Sequence, residues 1–250
     1  MKHSTIKIKT LFNASTILIL LLGWIIISSL QQNEYIFPKI SAIVKEMGMI
    51  ISTWSSIKTL IFSFGRTILA VIIGFLLSFI VIMLYIWKKN TIAFFEPILY
   101  FMRSAPVAAI SIFIFILIGD TVGPFFISTL VIFPIIVSGM KTAVDQVDPH
   151  ILDELAMLNI SFLRAFFQIY IPIMFSYLIM LLIQTFGLGF KVMVMGEYIC
   201  QTSNSIGKSL YIAKANIDMA SLLGWTIIIV IIVGVIETLL YRWNHRYLLD

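Results

Sequence analysis

The chain reads as an all-α integral membrane protein with about six transmembrane helices, and three observations carry that reading. Hydrophobic residues make up 60% of its 250 positions and charged residues 12%, far from the balance of a soluble domain. Mean hydropathy is +1.06. The apolar residues gather in long runs without the alternation of a β-barrel, and such runs must be helices because lipid offers backbone groups no partner.

Measured against the ~20 residues a helix needs to cross a bilayer, the runs fall at 14–30, 66–87, 97–118, 123–140, 173–195 and 220–241. The first follows a basic stretch with Lys2, Lys7 and Lys9, as a signal peptide would, but its end, Ser28-Ser29-Leu30-Gln31-Gln32, lacks a small-residue cleavage site. It reads as a retained anchor. Next comes Phe37-Pro38, and then Ile40, Ile43, Val44, Met47, Ile51 and Trp54 recur at helical spacing, with Lys39, Lys45 and Glu46 off the stripe. That amphipathic helix either lies on the membrane face or packs on the ends of the spans.

Basic residues orient the bundle. With a cytoplasmic N-terminus, Lys88, Lys89, Lys141, Arg164, Arg242 and Arg246 are also inside, and Lys39, Lys45, Lys58, Lys208 and Lys214 are outside. The bias favours both termini inside. Topology and headgroup contact account for the net charge of +5, so no nucleic-acid partner is implied. No linker separates soluble domains. The expected organisation is an N-terminal segment and anchor over 1–36 and one membrane domain over 37–250, with a loop at 141–172.

Chemistry that is missing narrows the function. There is no HExxH or GxSxG motif, and His3, His150 and His245 all fall outside the runs, which argues against an intramembrane hydrolase and gives no metal site. Gly207-Lys208-Ser209 imitates the end of a phosphate loop, but Thr202 stands where the loop requires glycine. The chain is therefore expected to bind no ATP or other cofactor itself. Cys200 is the only cysteine, so no internal disulfide can form, and it reads as a space-filling thiol. Asn13-Ala14-Ser15 and Asn159-Ile160-Ser161 match the glycosylation pattern but fall in the first run or on the cytoplasmic side.

The stretch 148–172, DPHILDELAMLNISFLRAFFQIYIP, is the most informative. Asp148-Pro149 forms a helix start, Asp153-Glu154 stand in the opening turns, and Ile151, Leu155, Leu158 and Phe162 repeat with a helical period. Such a face either docks into a groove on another protein or folds back on the membrane domain.

This loop resembles the cytoplasmic EAA loop of binding-protein-dependent ABC importer permeases, which carries an E-A-A triplet, a glycine and a closing I-x-L-P. Ile169-Tyr170-Ile171-Pro172 matches the closing motif; counting back sets Asn159 at the glycine and Asp153, Glu154 and Leu155 at the triplet. Moving Glu154 and Ala156 onto the triplet would break the spacing to Pro172. Other segments resemble the nitrate, sulfonate and taurine permease subgroup. These are Arg103-Ser104-Ala105-Pro106 through Ala109, Phe133-Pro134 with Ser138-Gly139-Met140-Lys141, and Gly196-Glu197-Tyr198 with Ile206-Gly207. The likeness covers about residues 37–246.

The resemblance implies a type I ABC importer permease fold in a bacterial plasma (inner) membrane, moving a small solute that an external solute-binding protein delivers. It implies ABC ATPase subunits that hold the ATP and Mg, and a second permease, identical or related. ATPase coupling would fall on Ile151, Asp153, Glu154, Leu155, Ala156, Leu158, Asn159, Ile160, Ser161 and Phe162. Leu155 and Asn159 depart from the small residue and the glycine of the family; Asn tolerates the left-handed backbone best, while Leu155 adds bulk at the docking surface.

Ionisable groups in apolar runs are costly, and they face protein or water, so Arg103, Lys191 and Glu197 are candidates for a substrate path, Lys191 together with the polar Gln184, and Glu237 is a further embedded charge. Snorkelling to headgroups is the alternative for Arg103 and Glu237. Outside the importer class, a stand-alone channel or non-ABC membrane protein remains the competing reading, and within transport, a vitamin precursor or cationic cargo in place of an anion.

Overall fold

The computed structural model describes residues 15–16, 18–19, 21–30, 36–148, 150 and 160–247. Among them every regular element is helical: α1 (Leu21–Leu30), α2 (Ile40–Ser52), α3 (Trp54–Trp87), α4 (Ile92–Ser104), α5 (Val107–Asp145), α6 (Phe162–Ala165), α7 (Ile171–Cys200), α8 (Ile206–Ala215) and α9 (Met219–Tyr247). A single 3₁₀ turn precedes α4, and a π-helical turn, Phe166–Tyr170, joins α6 to α7. Pro172 at the start of α7 has no N–H to give, so one ordinary helical bond is missing where the π turn meets α7.

Four described helices are long and apolar enough to cross a bilayer: Trp54–Trp87, Val107–Asp145, Tyr177–Cys200 and Met219–Arg242. The expected runs at 66–87, 123–140, 173–195 and 220–241 lie largely within them. The run at 97–118 is not one continuous helix. It divides between α4 and the start of α5, because Pro106 lacks an N–H and holds Ala105 in an extended conformation (φ −73°, ψ 133°). A second break follows at Gly119, whose φ of +81° and ψ of −172° suit glycine alone, so the 39 residues of α5 do not form one straight rod. The first run, 14–30, contributes α1 to the described residues.

The chain divides into two compact units. One contains Met1–Ile57 and Ser209–Ile229. Within it the indole of Trp24 donates to the Pro38 carbonyl at 3.2 Å and packs on Phe37, while Ile43 and Ile50 of α2 are buried. The expected α2 stripe is thereby split, for Val44, Ile51 and Trp54 stay exposed. Thr53, in an extended conformation, ends α2 before Trp54 starts α3.

The other unit contains Lys58–Lys208 and Val230–Asp250. Its core sets α3, α5 and α7 together through Val71, Ile82, Ile132, Ile136, Met140 and Phe186. On α3 the small residues Ser63, Thr67, Ala70, Gly74 and Ser78 recur on one face, all buried. Small side chains let helix backbones approach closely, which is the packing available where water supplies no hydrophobic drive. Two of their hydroxyls are satisfied locally: Thr67 donates to the Ser63 carbonyl at 2.9 Å and Ser78 to that of Gly74 at 2.7 Å. Ser128 of α5 donates to the Gly189 carbonyl of α7 at 2.9 Å, and Phe64 stacks on Phe190 at 4.4 Å.

Candidate functional site

Polar chemistry concentrates at the two ends of the second unit. Where α7 finishes, Glu197 is wholly enclosed, with no exposed side-chain surface. Its carboxylate accepts from the Ser63 hydroxyl at 2.7 and 2.9 Å, from Arg66 Nη1 at 3.0 Å and from the Gly207 N–H at 3.3 Å. Ser63 also accepts the Ile206 N–H at 3.0 Å, and Arg66 Nη2 reaches the Ser203 carbonyl at 3.2 Å. One carboxylate thus ties α3, α7 and the first residues of α8 together.

The local backbone is shaped for that tie. Gln201 caps α7 in the left-handed region (φ 54°), Asn204 repeats it (φ 49°), and Ser205 closes the turn onto the Thr202 carbonyl at 2.6 Å. A side chain at Gly207 would run into the backbone of Glu197 and Tyr198, so only glycine lets α8 start this close to the end of α7. Thr202 donates to the Asp120 carbonyl, which attaches the same turn beside the Gly119 break.

At the opposite end, where α5 finishes, Tyr85 of α3 donates to Asp145, and Lys141 pairs with Asp145 at 2.7 Å and lies over the Tyr85 ring at 5.2 Å. Tyr177 of α7 donates to Gln146. The exit from α5 is therefore attached to both α3 and α7. The chain then makes an Asx turn, with the His150 N–H on Asp148 at 2.9 Å. Ile151, Asp153, Glu154, Leu155, Ala156, Leu158 and Asn159 lie outside the described residues. Ile160 and Ser161 approach α6 in a non-helical conformation, with Ser161 at its N-cap and Phe162 half-buried. Phe166 is buried and meets Phe79 of α3 edge to face at 6.4 Å, which anchors the return of the loop.

The candidate path residues separate into two pairs. Arg103 donates to the Pro134 carbonyl at 2.9 Å and to Ser138, so the R-x-x-P and F-P segments meet between α4 and α5. Glu197 is held as described. Gln184 and Lys191, by contrast, are exposed on one face of α7. Glu237 is half-buried on α9, its carboxylate against Gly187.

Sequence reasoning did not single out Ser63, Arg66, Tyr85 or Asp145. The i,i+4 spacing of Lys141 and Asp145 and the repeat of small residues along α3 were the available signals. No group of His, Cys, Asp and Glu able to hold a metal occurs among the described residues.

Long apolar helices, small-residue packing and polar ends define a multi-pass membrane protein. Residues 87–248 match the family described as binding-protein-dependent transport system inner membrane component, and the chain belongs to that family. It is thus a permease component of ABC importers, a transport subunit of a family that in general works with ABC ATPases and binding proteins. No curated protein matches the chain.

Proposed function

We propose that this chain is the permease subunit through which ATP-driven import of a small solute is coupled at residues 151–165, with ATP and Mg held on separate ATPase subunits. The observation that carries the reading is the family match, whose bounds, residues 87–248, include the whole loop between α5 and α7. The attachments of Asp145 and Gln146 to α3 and α7 support it, because a pull on the loop would be passed to two spans at once.

In this reading the loop is cytoplasmic, as are both termini, and the domain is that of 37–250 behind the 1–36 anchor. A second permease, identical or related, completes the pathway, and the bulk of Leu155 favours a partner with the more regular loop. The subgroup likeness favours a nitrate- or sulfonate-like anion as cargo. Swinging a two-state gate from about 1:99 to 99:1 requires ~5.5 kcal/mol of differential binding, so the ATPases must grip the loop firmly.

The test is charge reversal at the grip. Asp153→Lys or Leu155→Lys in the reconstituted complex should leave ATP hydrolysis running while uptake falls at least about tenfold, the effect of losing roughly 1.4 kcal/mol of coupling. Unchanged uptake would remove these residues from the coupling surface.

A further inference from the structure

α7 is the most enclosed of the spans, yet one of its faces is open and carries polar groups. Along that face stand Tyr177, Met180, Gln184, Lys191 and Met195, all exposed, with Leu188 half-buried between them. Lys191 has no hydrogen bond or ion pair among the described residues. It also sits close to the middle of the Tyr177–Cys200 span.

Lipid is a costly cover for such a face. Nine residues of helix, about 13 Å, separate Lys191 from the Cys200 end. Helical side chains lean toward the N-terminus of their own helix, so the Lys191 stem leans the other way, along the row that holds Leu188 and Gln184. The Tyr177 end is farther still, about 20 Å off, beyond a four-carbon stem. Snorkelling is closed in both directions, and an unpaired ammonium near mid-bilayer belongs against water or an anion.

We infer that Lys191, with Gln184 about 10 Å along the same face, forms an anion-recognising station inside the translocation path, so that the membrane step itself selects for negatively charged cargo. Lys191 supplies the charge, and Gln184 supplies amide donors that orient carboxylate, sulfonate or similar oxygens. The inference rests on the importer reading and deepens it. Selectivity in this transporter would then not belong to the external binding protein alone.

The experiment reads the local potential directly in the whole complex. Gln184→Cys is treated, in membranes open on both sides, with methanethiosulfonate reagents of equal size bearing a sulfonate or a trimethylammonium group. Labelling is followed by mass, with the wild-type chain and its buried Cys200 as control. The sulfonate reagent should react roughly tenfold faster relative to its rate with a free thiol, as a unit charge at that separation in partly screened surroundings requires. Lys191→Met in the same background should abolish the bias, and Lys191→Arg should preserve it.

Equal relative rates for the two reagents would overturn anion recognition. Failure of both to react would overturn the aqueous path, because the face would then be covered by lipid or by a partner chain. The importer reading is tested separately by whether an ATPase subunit purifies with the wild-type chain.

Discussion

Glu197 and Lys191 stand six residues apart on α7, each an ionisable group in an apolar helix, and their surroundings are opposites. The carboxylate is sealed from solvent and receives hydrogen bonds from Ser63, Arg66 and Gly207, whereas the ammonium lies exposed with no partner among the described residues. Six residues turn the helix through about 240°. One group therefore enters the packed α3 side, and the other leaves through the open face. A charge in a membrane helix can fasten the bundle together or be reserved for something that passes through it, and only its neighbours distinguish the two.

The comparison is broken most strongly at Glu197. Glu197→Ala takes the acceptor away from the buried Ser63 hydroxyl and Gly207 N–H, while the half-buried Arg66 keeps the Ser203 and Asn204 carbonyls, and it should cost about 2–4 kcal/mol, since each buried donor left unpaired costs ~1–3 kcal/mol. Thermal unfolding of the detergent-solubilised complex would measure it. A loss below about 1 kcal/mol would mean that the clasp contributes little.

Gly207→Ala probes the same tie from its other side. The added methyl meets the backbone of Glu197 and Tyr198, which cannot move aside as a flexible side chain does, so a loss of about 1–3 kcal/mol is expected. Double-mutant analysis with Glu197→Ala should show the two effects to be non-additive, since both loosen one turn.

The smallest effect is expected at Lys191. Lys191→Met should change stability by no more than about 0.5 kcal/mol, as for an exposed position without partners. A loss comparable to that of Glu197→Ala would show that Lys191 has a structural partner, and the contrast between the two residues would vanish.

Much of the architecture was legible in the chain. Runs of ~20 apolar residues announce spans because backbone groups in lipid have no other way to be satisfied, and α3, α5, α7 and α9 contain four of the six expected runs. Hydropathy is blind to the break that Pro106 makes, so 97–118 looked continuous. The α2 stripe was sound as periodicity, and packing divided it, burying Ile43 together with Ile50 from beside the stripe and leaving Val44 and Ile51 outside.

The site was legible to a lesser degree. Arg103, Gln184, Lys191 and Glu197 were chosen on one criterion, charge or polarity in an apolar run, and that criterion carries no information about partners 131 or 134 residues away. Asp145 passed unnoticed because a carboxylate at the end of a run is inexpensive and draws no attention, although it attaches α5 to α3.

By itself the sequence determined that this protein lives in a membrane, that its substance is helix, and that a polar loop separates two of its spans, all consequences of transfer free energies summed along the chain. The tertiary structure alone decided which embedded charge is spent on cohesion and which is left open. That choice depends on the angle at which each residue leaves α7 and on which small residues of α3 allow a close approach, and neither is a local property.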